Sequence, residues 1–170
     1  MLNLKNPFDE TRLCISPALI YEDGIYRMWC STAEDFEGKY RTINYYEMID
    51  GDMMELKSKH ALSKGILSHI DVVKDDGKYW LVGNDVSVDG FPLRLYSFVS
   101  PDEKDYKYEG ILLSHGKRGR WDDRVIYRPS AVWANQKLWL YYSAYGTNPN
   151  TSNHVGLIKV QNWKELLKCF

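Results

Sequence analysis

Apolar and polar residues alternate along this chain in a pattern that occurs three times, each time around a short polar turn. The three segments begin at Ser16, His69 and Arg128 and read SPALIYEDGIYRMWCS, HIDVVKDDGKYWLVGN and RPSAVWANQKLWLYYS. Each has an apolar run before the turn and a run rich in aromatic residues after it, which is typical of a β-hairpin. The pattern therefore predicts three antiparallel hairpins.

The turn residues support this prediction. Their central pairs are Asp23-Gly24, Asp76-Gly77 and Asn135-Gln136. Asp-Gly supplies the positive φ that a two-residue hairpin turn requires, and Asn tolerates the left-handed region better than most residues. Each hairpin is followed by a third apolar stretch, and in the first two copies by a fourth, around 60–62 and 110–114. Four antiparallel strands per unit at this period describe the blade of a β-propeller.

The repeats predict an all-β chain, a single β-propeller-like domain over 1–170. Its four-stranded blade repeats cover about 13–62, 67–114 and 126–163. Residues 1–5 align with the last strand of a blade, so we expect them to form an outer strand of a preceding or partner blade. The C-terminal segment NWKELLKCF has a helical pattern.

Matched positions in the three copies also predict the core and the assembly. The predicted core residues are Ile20, Tyr26, Met28, Val73, Tyr79, Leu81, Val132, Leu138 and Leu140. Three blades are too few to close a propeller, which usually needs at least about four. We therefore expect association through the terminal blades, as a homo-oligomer or with missing blades.

Composition narrows the classes of partner. The net charge of −1 gives no reason to expect a nucleic acid or an anionic membrane. The N-terminal MLNLKNPFDE has neither the basic start nor the apolar run of a secretory signal. Cys14, Cys30 and Cys169 are odd in number and lack metal-ligand spacing, so they are interpreted as buried or incidental thiols in a reducing compartment. The sequence predicts a cytoplasmic protein without metal or cofactor.

Two segments resemble a known superfamily. Pro17 to Trp29 and Trp121 to Val132 are similar to the motifs R-P-S-x-x-x-x-x-G-x-Y-x-M-W and W-D-x-x-x-I-Y-R-P-S-A-V of the five-bladed β-propeller glycosidases. That superfamily includes arabinanases and β-xylosidases of glycoside hydrolase family 43, invertases and related fructan enzymes. The resemblance implies a partial five-bladed propeller with about three blades, which hydrolyses or binds a glycosidic substrate at the axial funnel.

The resemblance also implies that catalytic carboxylates would lie on the inner strands, as they do in these enzymes. The positions at which the catalytic glutamate is expected hold Ile15, Ser68 and Tyr127. Asp71 matches the family's P-D-V segment, whose aspartate tunes the acid. Because glycoside hydrolysis needs a pair of carboxylates, enzymatic activity stays open. The alternatives are a non-catalytic carbohydrate-binding or protein-interaction module, or a fragment of a larger enzyme.

Polar residues near the inner strands supply the candidate site. The catalytic candidates are Asp71, Asp122 and Asp123, and the candidates for substrate binding are His69, Arg128, Trp121, Tyr127, Arg12 and Glu10. Arginine and tryptophan suit sugars through bidentate hydrogen bonds and stacking. Structural alternatives remain: Asp71 and Arg128 could link adjacent blades, His69 could be a hydrogen-bonded buried imidazole, and Asp122-Asp123 could lie in a solvated loop.

Overall fold

A computed structural model describes residues 13–33, 41–48, 54–62, 67–85, 94–148 and 153–168. Within these residues the chain forms three antiparallel sheets and one short helix. The elements are β1 (Leu13–Glu22), β2 (Ile25–Ala33), β3 (Arg41–Met48), β4 (Glu55–Leu62), β5 (Leu67–Asp75), β6 (Lys78–Asp85), β7 (Arg94–Ser100), β8 (Lys107–Ser114), β9 (Val125–Ala134), β10 (Lys137–Tyr145), β11 (His154–Val160) and α1 (Trp163–Leu166).

The strands follow one another across each sheet, as a propeller blade requires. The sheet orders are β1-β2-β3-β4, β5-β6-β7-β8 and β9-β10-β11. We call these sheets the first, middle and third blades. The all-β class and the predicted strand order are confirmed, as is the short C-terminal helix. The strand predicted at 1–5 lies outside the described residues.

The three hairpin turns have the backbone that the sequence predicts. Both central residues of every turn have positive φ: Asp23 (54°), Gly24 (78°), Asp76 (50°), Gly77 (69°), Asn135 (51°) and Gln136 (59°). Two successive left-handed residues give the turn twist that matches the right-handed twist of the flanking strands. Local sequence alone therefore accounts for each hairpin.

The blades pack face to face through the middle blade. The inner strand β5 contacts β1 on one side and β9 on the other. One apolar cluster, which includes Trp29, Tyr45 and Leu81, lies between the first and middle blades. A second cluster, which includes Leu140 and Trp163, lies between the middle and third blades. Among the described residues, the middle blade thus packs against another blade on both faces, and each of its neighbours on one face. A small third cluster of buried Met28, Cys30 and Tyr46 lies on the other face of the first blade.

Most of the predicted core is confirmed. The buried members are Met28, Val73, Tyr79, Leu81, Leu138 and Leu140. Ile20 is partly buried against the first cluster. The prediction is wrong for Tyr26 and Val132, which are exposed. Both side chains lie on blade faces that point away from the middle blade, where no sheet within the described residues packs on them.

The cysteine prediction is also wrong for two of the three residues. Cys14 on β1 and Cys30 on β2 form a disulfide, with their Cα atoms 5.9 Å apart. Because disulfides persist in oxidising compartments and are rare in the cytosol, the thiol-based argument for a cytoplasmic location no longer holds. Cys169 lies outside the described residues. The described segments include no helix that is long and apolar enough to cross a membrane.

Candidate functional site

Each inner strand carries a bulge within one residue of the same point of the repeat. The pairing register shifts at Ser16-Pro17 in β1, at Ser68 in β5 and at Arg128-Pro129 in β9. Ser16 and Arg128 have φ values of 50° and 48°. A non-glycine residue in the left-handed region costs about 1–3 kcal/mol, and such residues concentrate at functional sites. The bulges therefore indicate a candidate functional site at this end of the blades.

Side chains from these three bulges converge. The hydroxyl Oγ of Ser16 lies 2.8 Å from Nδ1 of His69. The rings of His69 and Tyr127 have centroids 6.5 Å apart, and the Arg128 guanidinium lies 5.4 Å from the centre of the Tyr127 ring. Tyr145, at the end of β10, lies 6.2 Å from Tyr127. We call Ser16, His69, Tyr127, Arg128 and Tyr145 the inner-strand cluster.

The structure thus brings together three of the predicted binding residues, His69, Tyr127 and Arg128. Sequence reasoning did not select Ser16 or Tyr145. Ser16 had a signal, because it occupies the same position in the first copy as His69 and Arg128 in the others. No sequence signal indicated Tyr145, because it reaches the cluster only through the cross-strand pairing that places the end of β10 opposite the start of β9.

Buried polar residues on the second strands support the bulges. Ser31 on β2 donates to the backbone carbonyl of Leu67 (2.7 Å). Asn84, at the equivalent position on β6, accepts a hydrogen bond from the Arg128 N–H (3.3 Å) and donates to Ser68 Oγ (3.1 Å). In both cases a polar side chain of one blade binds the bulged strand of the next. The bulges are therefore positioned by neighbouring blades as well as by their own sheets.

Asp71 links the middle and third blades. Its Oδ1 accepts the Val72 N–H (2.8 Å), and its Oδ2 accepts both the Ala131 N–H (2.8 Å) and the Ser130 hydroxyl (3.1 Å). Burial raises the pKa of the Asp71 carboxyl, and the hydrogen bonds from Ala131, Val72 and Ser130 act in the opposite direction. Both oxygens are therefore engaged in holding β5 and β9 together, which favours the structural interpretation of this residue.

Asp123 organises the loop that leads into β9. Its carboxylate accepts hydrogen bonds from the Gly119 N–H, from the Thr147 N–H (2.6 Å) and from the Thr147 hydroxyl (2.9 Å). The backbone N–H groups of Gly119 and Thr147 lower the pKa of Asp123 by stabilising its charged form. This carboxylate binds the loop to the segment that follows β10.

Asp122 differs from its neighbour. Its side chain is buried, and no described residue donates a hydrogen bond to its Oδ1. The nearest cation is the Arg120 Nε at 3.5 Å. A Cβ atom at Gly116 would overlap the Asp122 carboxylate, so the close approach of the two chain segments requires glycine there. Since both aspartates are buried, the alternative of a solvated loop is wrong.

The remaining predicted residues lie away from the inner-strand cluster or outside the described residues. Trp121 stacks on Tyr142 at 5.9 Å and meets the edge of His154 at 5.6 Å, so it packs with the third blade. Glu10 and Arg12 lie outside the described residues. Among the side chains that the structure does describe, no group of three His, Cys, Asp or Glu is placed to bind a metal ion.

Comparison with solved structures identifies the fold. A family 117 glycoside hydrolase from Zobellia galactanivorans superposes with a TM-score of 0.71 at 18% identity, over 92% of this chain and 55% of that one. A thermostable family-43 glycoside hydrolase gives 0.67 at 15% identity, over 92% and 51%. A GH32 β-fructofuranosidase from Bombyx mori gives 0.62 at 16% identity, over 89% and 34%.

The chain has the fold of the propeller glycosidases. It spans about half of the length of the first two of these neighbours, in line with the prediction of about three blades. No family model and no curated protein sequence matches it. At these identities the likeness establishes the architecture, and the chemistry must be argued from this chain's own residues.

Proposed function

We propose that this chain is a carbohydrate-active propeller that binds a sugar at the inner-strand cluster. The observation that carries the proposal is a chain of contacts between Ser16, His69 and Arg128, which occupy one repeat position in three blades. Ser16 contacts His69, and His69 and Arg128 both lie near the Tyr127 ring. Its structural neighbours are glycoside hydrolases, and two were solved with sugars: the B. mori enzyme with sucrose and a Xanthomonas citri GH43_1 enzyme with xylotriose.

The chemistry of the cluster suits a sugar. The Tyr127 ring is partly exposed and offers an aromatic face for the C–H side of a pyranose or furanose. The exposed Arg128 guanidinium offers several N–H donors to hydroxyl or carboxylate oxygens. The left-handed backbone at Arg128 and its N–H bond to Asn84 fix where that side chain starts. A sugar could therefore stack on Tyr127 while it hydrogen-bonds to Arg128.

Hydrolysis is a second candidate function, and one observation favours Asp122 as its carboxylate. Glycosidases place two carboxyl groups about 5–5.5 Å apart when they retain configuration and about 6.5–9.5 Å apart when they invert it. Asp71 and Asp123 accept protein hydrogen bonds on both of their oxygens. Asp122 Oδ1 accepts no hydrogen bond from a described residue and forms an ion pair with the Arg120 Nε at 3.5 Å.

The binding proposal is tested by calorimetric titration of the purified chain with xylotriose and with sucrose. We expect Tyr127→Ala and Arg128→Ala each to weaken binding by about tenfold or more, as expected for loss of a stacking ring or a charged hydrogen-bond donor. The matched controls are Tyr108→Ala and Arg118→Ala, exposed residues outside the cluster. Binding that survives both cluster variants, or no binding of either sugar at millimolar concentration, would contradict the proposal.

The hydrolytic candidate is tested separately with 4-nitrophenyl glycosides. If the chain turns over such a substrate, Asp122→Asn should reduce kcat by orders of magnitude, because it removes an ionisable oxygen. Asp123→Asn serves as the control for disturbance of the same loop. Equal losses in both variants, or turnover unchanged by Asp122→Asn, would remove Asp122 from the mechanism.

A further inference from the structure

The two internal blade interfaces use the same pair of faces. The middle blade turns one face, with Ile70, Val72 and Leu81, to the first blade. We call this face A. It turns the opposite face, with Val73 and Val82, to the third blade. We call this face B. At both interfaces, face B of one blade therefore packs on face A of the next.

This order leaves one face of each kind on which no other blade of the described residues packs. The first blade packs on the middle blade through Ala18 and Trp29, which correspond to face B, so its face A is free. The third blade packs through Ala131, Leu138 and Leu140, which correspond to face A, so its face B is free. One chain thus carries both halves of an interface that it already forms twice.

The free face A of the first blade is apolar across all four strands. Leu19, with 55% of its surface exposed, is opposite Met28 in the β1–β2 pairing. Met28 is opposite Tyr46, and Tyr46 is opposite Leu56. Met28 and Tyr46 are buried together with Cys30 at the centre of the face, and Leu56 is exposed at its outer edge. The exposed rings of Tyr21 and Tyr26 pair beside this row, with centroids 4.5 Å apart. Contiguous apolar patches of this kind on soluble proteins mark interaction surfaces.

The free face B of the third blade is apolar as well. Val132, Val155 and Leu157 are exposed there. Trp139 is opposite Val132 in the β9–β10 pairing, and the Lys159 ammonium lies 3.9 Å from the centre of its ring. At the middle blade's positions equivalent to Val132 and Val155, Val73 and Leu95 are buried by the third blade. The third blade therefore presents a surface that packs on a face A elsewhere in the same molecule.

We propose that two copies of this chain associate head to tail, with face B of the third blade of each copy on face A of the first blade of the other. This inference does not depend on sugar binding. Two copies supply about six blades, within the range of roughly four to eight in closed propellers. The chain's net charge of −1 presents little repulsion between copies. By equivalence with Ser31, Ser143 would donate to the backbone carbonyl of Cys14 in the second copy.

A charge-swap experiment distinguishes this arrangement from the alternatives. Leu19→Lys alters only face A, and Val132→Glu alters only face B. The molar mass of each variant and of their equimolar mixture is followed by light scattering from low to high micromolar concentration. We expect wild type to dimerise. In each single variant the Kd of the dimer should rise about tenfold or more, because an unpaired charge is placed against an apolar face. The mixture should dimerise again, since one interface then pairs Lys with Glu and the other is wild type.

Each other outcome overturns the proposal. If only Leu19→Lys weakens association, like faces A pair symmetrically, and if only Val132→Glu does, like faces B pair. A wild-type monomer at every concentration shows that neither face binds a second copy, and points to blades from another protein. Tyr108→Lys is the control, because Tyr108 is exposed on the outer strand β8, away from both free faces. Circular dichroism of every variant separates loss of association from loss of folding.

Discussion

At two positions of the repeat, the middle blade and one of its neighbours carry the same residue with opposite exposure. Tyr79 in the middle blade is 3% exposed, whereas Tyr26 at the matching position of the first blade is 38% exposed. Val73 in the middle blade is 6% exposed, whereas Val132 in the third is 46% exposed. Residue type, strand and register are the same within each pair. What differs at these two positions is whether another blade packs on that face. Met28, on the same face as Tyr26, is buried by its own blade in a cluster with Cys30 and Tyr46.

The largest effect should come from the centre of the stack. We expect Leu81→Ala to lower the free energy of unfolding by about 2–5 kcal/mol, because it opens a cavity between two packed blades. In dilute solution, where the chain is monomeric, Leu157→Ala, at an exposed leucine on the free face of the third blade, should cost less than about 1 kcal/mol. Urea denaturation measures both. Similar losses would mean that the free face is covered in solution.

The first blade has a covalent link that the middle blade lacks among its described residues. Cys14 and Cys30 are 16 residues apart, and a disulfide closing a loop of about that length contributes roughly 3 kcal/mol. We expect reduction, or the double variant Cys14→Ser/Cys30→Ser, to lower the melting temperature. Cys169→Ser is the control. No response to reductant would show that the two thiols are not joined in solution.

The paired valines give the most direct measure of what stacking contributes. Val73→Ala should cost about 1.5–2 kcal/mol, from the loss of two buried methyl groups. Val132→Ala should cost less than about 0.5 kcal/mol in dilute solution, where its face is exposed. A cost for Val132→Ala that rises with protein concentration would indicate that association buries this face. If the two variants lost equal stability in dilute solution, the difference in exposure between Val73 and Val132 would be contradicted.

The stabilities of the two internal interfaces should respond oppositely to pH. Between the first and middle blades, the Lys74 ammonium and the Tyr79 hydroxyl bind Glu22 and lower its pKa from 4.5. This contribution is present above about pH 4.5 and is lost as the pH falls through the lower folded value. Between the middle and third blades, burial raises the pKa of Asp71 from 3.8. That contribution is full below about pH 3.8 and is lost as the pH rises through the higher folded value.

Unfolding of two variants between pH 7 and pH 3 checks these slopes. The stability difference between wild type and Glu22→Gln should shrink as the pH falls. The difference between wild type and Asp71→Asn should move in favour of wild type over the same range. Parallel slopes for the two variants would show that the two carboxylates do not have opposite environments.

Much of the candidate site was accessible from the repeat, because equivalent positions in a propeller meet near its axis. Alignment of the three copies places His69 and Arg128 at one position and Tyr127 beside it, and the structure brings these side chains together. The same alignment did not reveal what Asp71 and Asp123 bind. Their partners, Ala131 and Thr147, donate through backbone N–H groups, which carry no signature in the side-chain sequence.

The sequence by itself determined the hairpins and their order, because turn geometry and the two-residue period of a strand depend on residues that are close along the chain. Asp23-Gly24 and Asp76-Gly77 specify their turns whatever surrounds them. Only the tertiary structure decided which copy of a repeated tyrosine or valine is buried. It also decided that Ser16 meets His69 across 53 residues, and Asp71 meets Ala131 across 60. Such contacts follow from how the blades stack on one another, and the stacking order has no local signal.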